Sequence, residues 1–145
     1  MKIAIINGPN LNLLGKRETT VYGNLTLAEI ESKLSAEFAT INFTHFQSNI
    51  EGELISKVQE FGFNDGSKLD AIIINPGGFS HTSVALADAI AACSIPVIEV
   101  HISNIYAREE YRHTSITGGK CKGVITGFGF SSYWLAVQYI QSLNL

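Results

Sequence analysis

Ile3-Ala4-Ile5-Ile6-Asn7-Gly8-Pro9-Asn10, residues 3–10, runs four apolar residues straight into a polar turn that contains glycine. So short an apolar run, without polar alternation, reads as a strand buried on both faces in a parallel sheet. Compact domains usually pass from strand to helix in about two to six residues. Here the next helical signal begins only at Thr26. The intervening stretch, about residues 8–25, carries Asn10, Arg17 and Tyr22 among Gly8, Gly15 and Gly23. A loop of that length and chemistry at the end of a first strand has the make-up of an active-site lid. The plainer alternative is a surface loop, which has little reason to keep Leu11, Leu13 and Leu14.

Beyond the lid, strand and helix signals alternate. The first strand covers residues 2–7. Thr26-Leu27-Ala28-Glu29 is a capping box, opening a helix to about Ala39. Residues 41–47, with alternation and β-branched and aromatic side chains, form a second strand. Ser48-x-x-Glu51 reads as a second capping box ahead of a helix with Leu54, Ile55, Val58 and Phe61 on one face. Asn64-Asp65-Gly66 has turn chemistry. Ala71-Ile72-Ile73-Ile74-Asn75 is apolar on both faces and therefore a central strand. Further strands are expected at 96–100 and 124–126, with helices near 83–93 and 132–143. Repeated β-α units predict one α/β domain over residues 1–145, a five-stranded parallel sheet with helices on both faces.

Composition narrows the function class. Of 145 residues, 46% are hydrophobic and 16% charged, which excludes a disordered chain. A net charge of -3 gives no basic footprint for nucleic acid. No apolar run approaches the roughly 20 residues that span a bilayer. Met1-Lys2-Ile3-Ala4 enters a strand directly, without the apolar region of a signal peptide. Cys93 and Cys121 make neither a disulfide framework nor a metal-ligand spacing. A reducing, cytoplasmic setting is expected.

In such sheets ligands bind beyond the carboxyl ends of the strands, and the polar clusters of this chain sit there. Arg17, Arg108 and Arg112, all the arginines present, fall in the loops after the first and fourth strands, whereas the lysines are scattered. That concentration suits an oxygen-rich or anionic small molecule. Arg17 and Tyr22 share the lid. A free phenol is about 0.1% ionised at neutral pH, a deficit of roughly 4 kcal/mol for a base, much of which a nearby guanidinium recovers. The bland reading is a rim arginine and a packing tyrosine. Glu99-Val100-His101 places Glu99 and His101 on one face of a strand. A carboxylate beside an imidazole suits His101 as a general acid; a satisfied structural histidine is the alternative. A metal site would need a third ligand such as His81, but the amides and hydroxyl of Ile102-Ser103-Asn104 suit a carboxylate better than a cation. Asn75-Pro76-Gly77-Gly78 lacks the lysine and spacing of a P-loop. His81 either contacts substrate or caps the helix behind it, and Asp88 alone reads as a solvated helix position.

Taken together, Asn7-Gly8-Pro9-Asn10-Leu11-Asn12-Leu13-Leu14-Gly15, Arg17-Glu18, Tyr22-Gly23, Gln47-Ser48-Asn49, Glu51-Gly52-Glu53-Leu54-Ile55, Asn75-Pro76-Gly77, His81-Thr82-Ser83-Val84-Ala85-Leu86, Glu99-Val100-His101-Ile102-Ser103-Asn104, Arg108-Glu109-Glu110, Arg112-His113 and Gly127-Phe128-Gly129 resemble the type II 3-dehydroquinate dehydratases of the shikimate pathway. The resemblance runs from residue 1 into the last helix. It implies a flavodoxin-like three-layer fold, no cofactor, no metal, and a lyase converting 3-dehydroquinate to 3-dehydroshikimate by anti elimination through an enolate. Carried onto this chain, it makes Tyr22 the base, Arg17 the residue that keeps Tyr22 ionised, Asn10 the holder of an enolate-stabilising water, and His101, oriented by Glu99, the acid. Asn75 would help place the departing hydroxyl. The substrate carboxylate would lie on Ile102 and Ser103, and the ring hydroxyls on His81 and Arg112. Arg108 would close the lid. The resemblance also implies a homododecamer built as a tetramer of trimers, with Asp88 reaching a neighbouring subunit's site.

Departures from the family pattern are Thr19 where proline is common, Gly78 for alanine, Ser80 for threonine, Ala87 for arginine, and Thr117-Gly118-Gly119-Lys120-Cys121 in place of a more apolar stretch. Two other chemistries stay in view. A flavin-binding module of the same fold would want a short Ser/Thr/Gly phosphate loop after the first strand. A Schiff-base dehydratase would want a pocket lysine, for which Lys16 is the sole candidate in the pocket loops.

Overall fold

The computed structural model describes residues 1–16, 18–63 and 69–143. Its sheet contains β1 (Lys2–Asn7), β2 (Asn42–Gln47), β3 (Ala71–Asn75), β4 (Val97–His101) and β5 (Gly123–Thr126), all parallel, in the order β2-β1-β3-β4-β5. The order reverses between β1 and β3, which places the ligand crevice of a flavodoxin-like fold at their carboxyl ends. In register, Asn7 lies beside Gln47 on one side and Asn75 on the other.

Helices cover both faces: α1 (Thr19–Tyr22), α2 (Leu27–Glu37), α3 (Glu51–Gly62), α4 (Val84–Ala91) and α5 (Ser131–Ser142). Strand alternation sorts the core into two halves. Ile3, Ile5, Ile73, Ile98 and Val100 pack with Leu34 of α2 and Ala136 and Ile140 of α5. Ala4, Ile6, Ile72, Ile74 and Val97 pack with Leu54 and Val58 of α3 and Leu86 and Ile90 of α4. Each aliphatic side chain so buried contributes about 1.5–3 kcal/mol. Because Val97 belongs to the second half, Glu99 and His101 lie on that same face of β4.

The first capping box forms as read: Thr26 Oγ1 accepts the Glu29 N–H at 3.2 Å and the Thr26 N–H reaches Glu29 Oε2 at 2.7 Å. The second does not. Ile50 occupies the N-cap of α3, while Ser48 Oγ accepts the Ile50 N–H and bonds to Glu53 instead of Glu51. Several ends also move. α2 stops at Glu37, α4 spans 84–91 with the Ser83 hydroxyl capping Leu86 N–H, and β4 reaches His101. The Asn64-Asp65-Gly66 turn lies outside the described residues.

The lid is more structured than a long loop. Leu11–Leu13 forms a 3-10 turn behind Asn10, and α1 supplies one helical turn that ends in Tyr22. Asn10 (φ 67) and Glu18 (φ 46, ψ 43) take left-handed backbone conformations immediately ahead of these turns. Leu11 and Leu14 are buried in the core, whereas Leu13 is exposed, so burial accounts for two of the three leucines of the stretch.

Gly8 sits where the loops after β1 and β3 touch. Its N–H donates to Asn75 O at 2.7 Å, and a Cβ there would lie 2.4 Å from Pro76 O. Gly8→Ala must push the two backbones apart, and we expect a loss of about 1–3 kcal/mol, read as a lower urea midpoint at unchanged m-value.

Candidate active site

A cavity of about 130 Å³ opens at the carboxyl ends of β1, β3 and β4. Its lining includes Asn10 and Tyr22 of the lid, Asn75 and His81 after β3, and His101, Ser103, Arg108 and Arg112 from β4 onward. Among the residues singled out from the sequence, these and Ile102 line one cavity. Arg17 lies outside the described residues. Asp88 does not line the cavity; it is exposed on α4. Lys16 is also absent from the lining, so the Schiff-base alternative has no lysine in the described wall.

Among the described residues, the arginine that meets Tyr22 is Arg108. Nη1 of Arg108 donates to the Tyr22 hydroxyl oxygen at 2.8 Å, and the guanidinium carbon sits 5.4 Å from the ring centroid. The hydrogen bond to Tyr22 pushes the Arg108 guanidinium above its ordinary range, so this donor stays charged. The same Nη1 lies 3.4 Å from Ser103 Oγ. Glu109 Oε2 braces both arginines, at 3.5 Å from Arg108 Nε and 2.9 Å from Arg112 Nε. His113 donates Nε2–H to the Arg108 carbonyl at 2.9 Å. Arg108 therefore reaches deeper into the site than a lid clasp requires.

Glu99 is fully buried and His101 nearly so, at 0% and 5% exposure. His101 Nε2 lies 2.7 Å from Glu99 Oε1, which fixes that nitrogen as the donor and leaves Nδ1 as the second ring nitrogen. His81 stacks on His101 with ring centroids 6.4 Å apart, and its Nδ1 donates to Thr114 O at 2.8 Å. That bond orients His81 through the loop before β5; the helix cap is supplied by Ser83. No group of three His, Cys, Asp or Glu side chains among the described residues is placed to hold a metal ion.

Two further features shape the pocket. Asn75 donates from Nδ2 to the Tyr133 hydroxyl at 3.0 Å, Tyr133 donates to Asn7 Oδ1 at 2.6 Å, and Asn75 Oδ1 accepts the Gly77 N–H at 3.2 Å. Burial pushes the Tyr133 phenol far up, so it remains a donor. Asn75 is thereby held from both ends of its amide. After β4, Thr126 Oγ1 accepts the Ile105 N–H at 3.2 Å and donates to Ser103 O at 2.9 Å. Among the described residues no carbonyl takes the N–H of Ile102 or Ser103, so both amides stay free for an anion.

Comparison with known proteins decides the family. The family model for class II dehydroquinases matches residues 1–141. The chain belongs to the class II dehydroquinase family. A 3-dehydroquinate dehydratase of Helicobacter hepaticus is 56% identical over 145 residues, covering 99% of this chain and 90% of that protein. One from Bacillus licheniformis is 52% identical over 144 residues, covering 98% and 97%. The crystal structure of the type II dehydroquinase from Butyrivibrio crossotus superposes with a TM-score of 0.92 at 44% identity, covering 97% of each chain. The flavin-binding alternative finds no support in these likenesses.

Proposed function

We propose that the chain dehydrates 3-dehydroquinate to 3-dehydroshikimate without a cofactor, the third step of the shikimate pathway to aromatic amino acids. What carries the reading is one cavity wall bearing a tyrosine oxygen hydrogen-bonded to a guanidinium and another bearing a carboxylate-oriented histidine. In the anti elimination, the Tyr22 oxygen removes the proton α to the substrate carbonyl, and the electron pair moves into an enolate. The Arg108 donor stabilises negative charge on the tyrosine oxygen before transfer, alongside Arg17, to which the family pattern gives that part. Asn10 holds the water that meets the enolate oxygen.

As the enolate collapses, the bond to the tertiary hydroxyl breaks and the Nδ1 side of His101 delivers the proton that turns hydroxide into water. Glu99 engages Nε2 throughout and keeps the ring aligned, the logic of an oriented base in a catalytic triad. Asn75, clamped by Tyr133 and Gly77, borders the same reaction centre. The substrate carboxylate rests on the free amides of Ile102 and Ser103 and the Ser103 hydroxyl, and His81 Nε2 and Arg112 bind ring hydroxyls. We further place the single 1–145 domain in a cytoplasmic homododecamer, a tetramer of trimers, in which the exposed Asp88 serves a neighbouring subunit's pocket. Among the described residues no helix is long and apolar enough to cross a membrane.

Supplying 3-dehydroquinate to the purified protein tests the reaction: a conjugated enone absorbance grows in without added metal or flavin. A flat trace with folded protein rejects the assignment.

A further inference from the structure

The stretch that departs from the family pattern before β5 surrounds the buried partner of the proposed acid. Thr117, itself fully buried, donates Oγ1–H to Glu99 Oε2 at 2.6 Å. Ser115 donates Oγ–H to Glu99 Oε1 at 2.6 Å. The second bond can run only this way, because an ionised carboxylate oxygen accepts and does not donate; Ser115 Oγ in addition accepts the Gly118 N–H at 2.8 Å. Both lengths fall in the range of a hydroxyl bonded to a charged carboxylate. With His101, three nitrogen and oxygen donors converge on one carboxylate that has no access to water, and the Cys121 thiol adds a weak, long one at 4.0 Å. Gly118 makes the fit possible, since a Cβ there would lie 2.9 Å from Ser115 Oγ, 3.2 Å from Glu99 Oε1 and 2.8 Å from Val124 Cγ2. Neither Ser115 nor Thr117 lines the cavity, so neither touches substrate in the pocket described.

We propose that the Ser115 and Thr117 hydroxyls are positioning residues that set the proton affinity of His101 by sharing the charge of Glu99. A carboxylate whose charge is spread over three donors pulls less on each of them. Removing one hydroxyl concentrates the charge on those left, so His101 holds its proton more tightly and gives it up less readily to the leaving hydroxyl. The other titratable or charged groups around this pair are His81 stacked on His101, Cys121 with its thiol 4.0 Å from Glu99 Oε2, and Tyr22, Arg108 and Arg112 across the cavity. Burial first, and then the Glu99 charge, push the Cys121 thiol far up, so it stays neutral and adds no competing charge. The remaining groups are common to all the variants below.

Nitrogen-15 histidine NMR across a pH series, on the full chain, reads His101 directly. Thr117→Val and Ser115→Ala should each raise the His101 titration midpoint by about one pH unit, a tenfold change in proton affinity, and Thr117→Ser should restore it. The kinetic arm rests on the dehydratase reading: kcat should fall about tenfold with KM within about twofold. Unmoved midpoints in folded Thr117→Val and Ser115→Ala proteins overturn the proposal, as does a loss of thermal stability with midpoint and kcat unchanged. Should Thr117→Val fail to fold, Ser115→Ala decides alone. Absence of turnover in the unsubstituted protein rejects the reaction and leaves the NMR arm to judge this proposal by itself.

Discussion

Tyr22→Phe lowers kcat by about 10²–10⁴-fold, the usual worth of a general base, while fold and assembly persist. The substitution removes one oxygen and keeps the ring, which packs against the α2/α5 half of the core and lies under the Arg108 guanidinium. Circular dichroism and gel-filtration elution should therefore match the unsubstituted protein. What disappears is the atom to which Arg108 donates. The decisive readout is twofold: appearance of the enone, and exchange of the substrate's α hydrogen with deuterated solvent. Both must stop together, because no proton leaves carbon without the base. Substantial enone formation by Tyr22→Phe refutes the tyrosinate mechanism.

His101→Gln separates the second half of the elimination from the first. The glutamine amide offers Glu99 an N–H donor in place of the imidazole, so the buried carboxylate keeps three donors and is not stranded; stranding it would cost several kcal/mol. Glutamine has no titrating proton, however, and hydroxide is a poor leaving group. Dehydration should fall by about 10²–10⁴-fold. Tyr22 and Arg108 remain in place, so α-hydrogen exchange should survive at a much higher rate than dehydration. Equal losses of exchange and dehydration would show that His101 acts before the carbon–oxygen bond breaks, contrary to its assignment as the acid.

Much of the scaffold can be read from short-range patterns because its physics is short-range. The apolar run 71–75 is central and buried, and Thr26 and Glu29, three residues apart, cap α2 reciprocally. Ser48 shows how such a reading goes wrong: its hydroxyl turned back to Ile50 and found Glu53, so the same residue types made a different local motif. Glu99 and His101 were visible as a pair because two residues along a strand share a face. Their surroundings were not. Ser115 and Thr117 stand 16 and 18 residues from Glu99, Tyr133 stands 126 from Asn7, and Arg108 stands 86 from Tyr22. Contacts of that separation are made by the packing of strands and helices, and nothing in the neighbouring residues announces them. The approach of Arg108 to Tyr22 is of this kind: the lid sequence pairs Tyr22 with Arg17, and nothing near Tyr22 in the chain announces that Arg108 also reaches its oxygen.

The left-handed backbone at Glu18 bears on which residue the lid accepts at position 19. Thr19 begins α1, a position whose helical φ a proline would match. Yet a proline presses its ring on the residue before it and drives that residue toward extended conformations, whereas Glu18 has φ 46 and ψ 43. Threonine at 19 is therefore compatible with the turn at 18 in a way that proline is not. Placing proline at 19 would force Glu18 out of this conformation, and with it the backbone that leads to Tyr22.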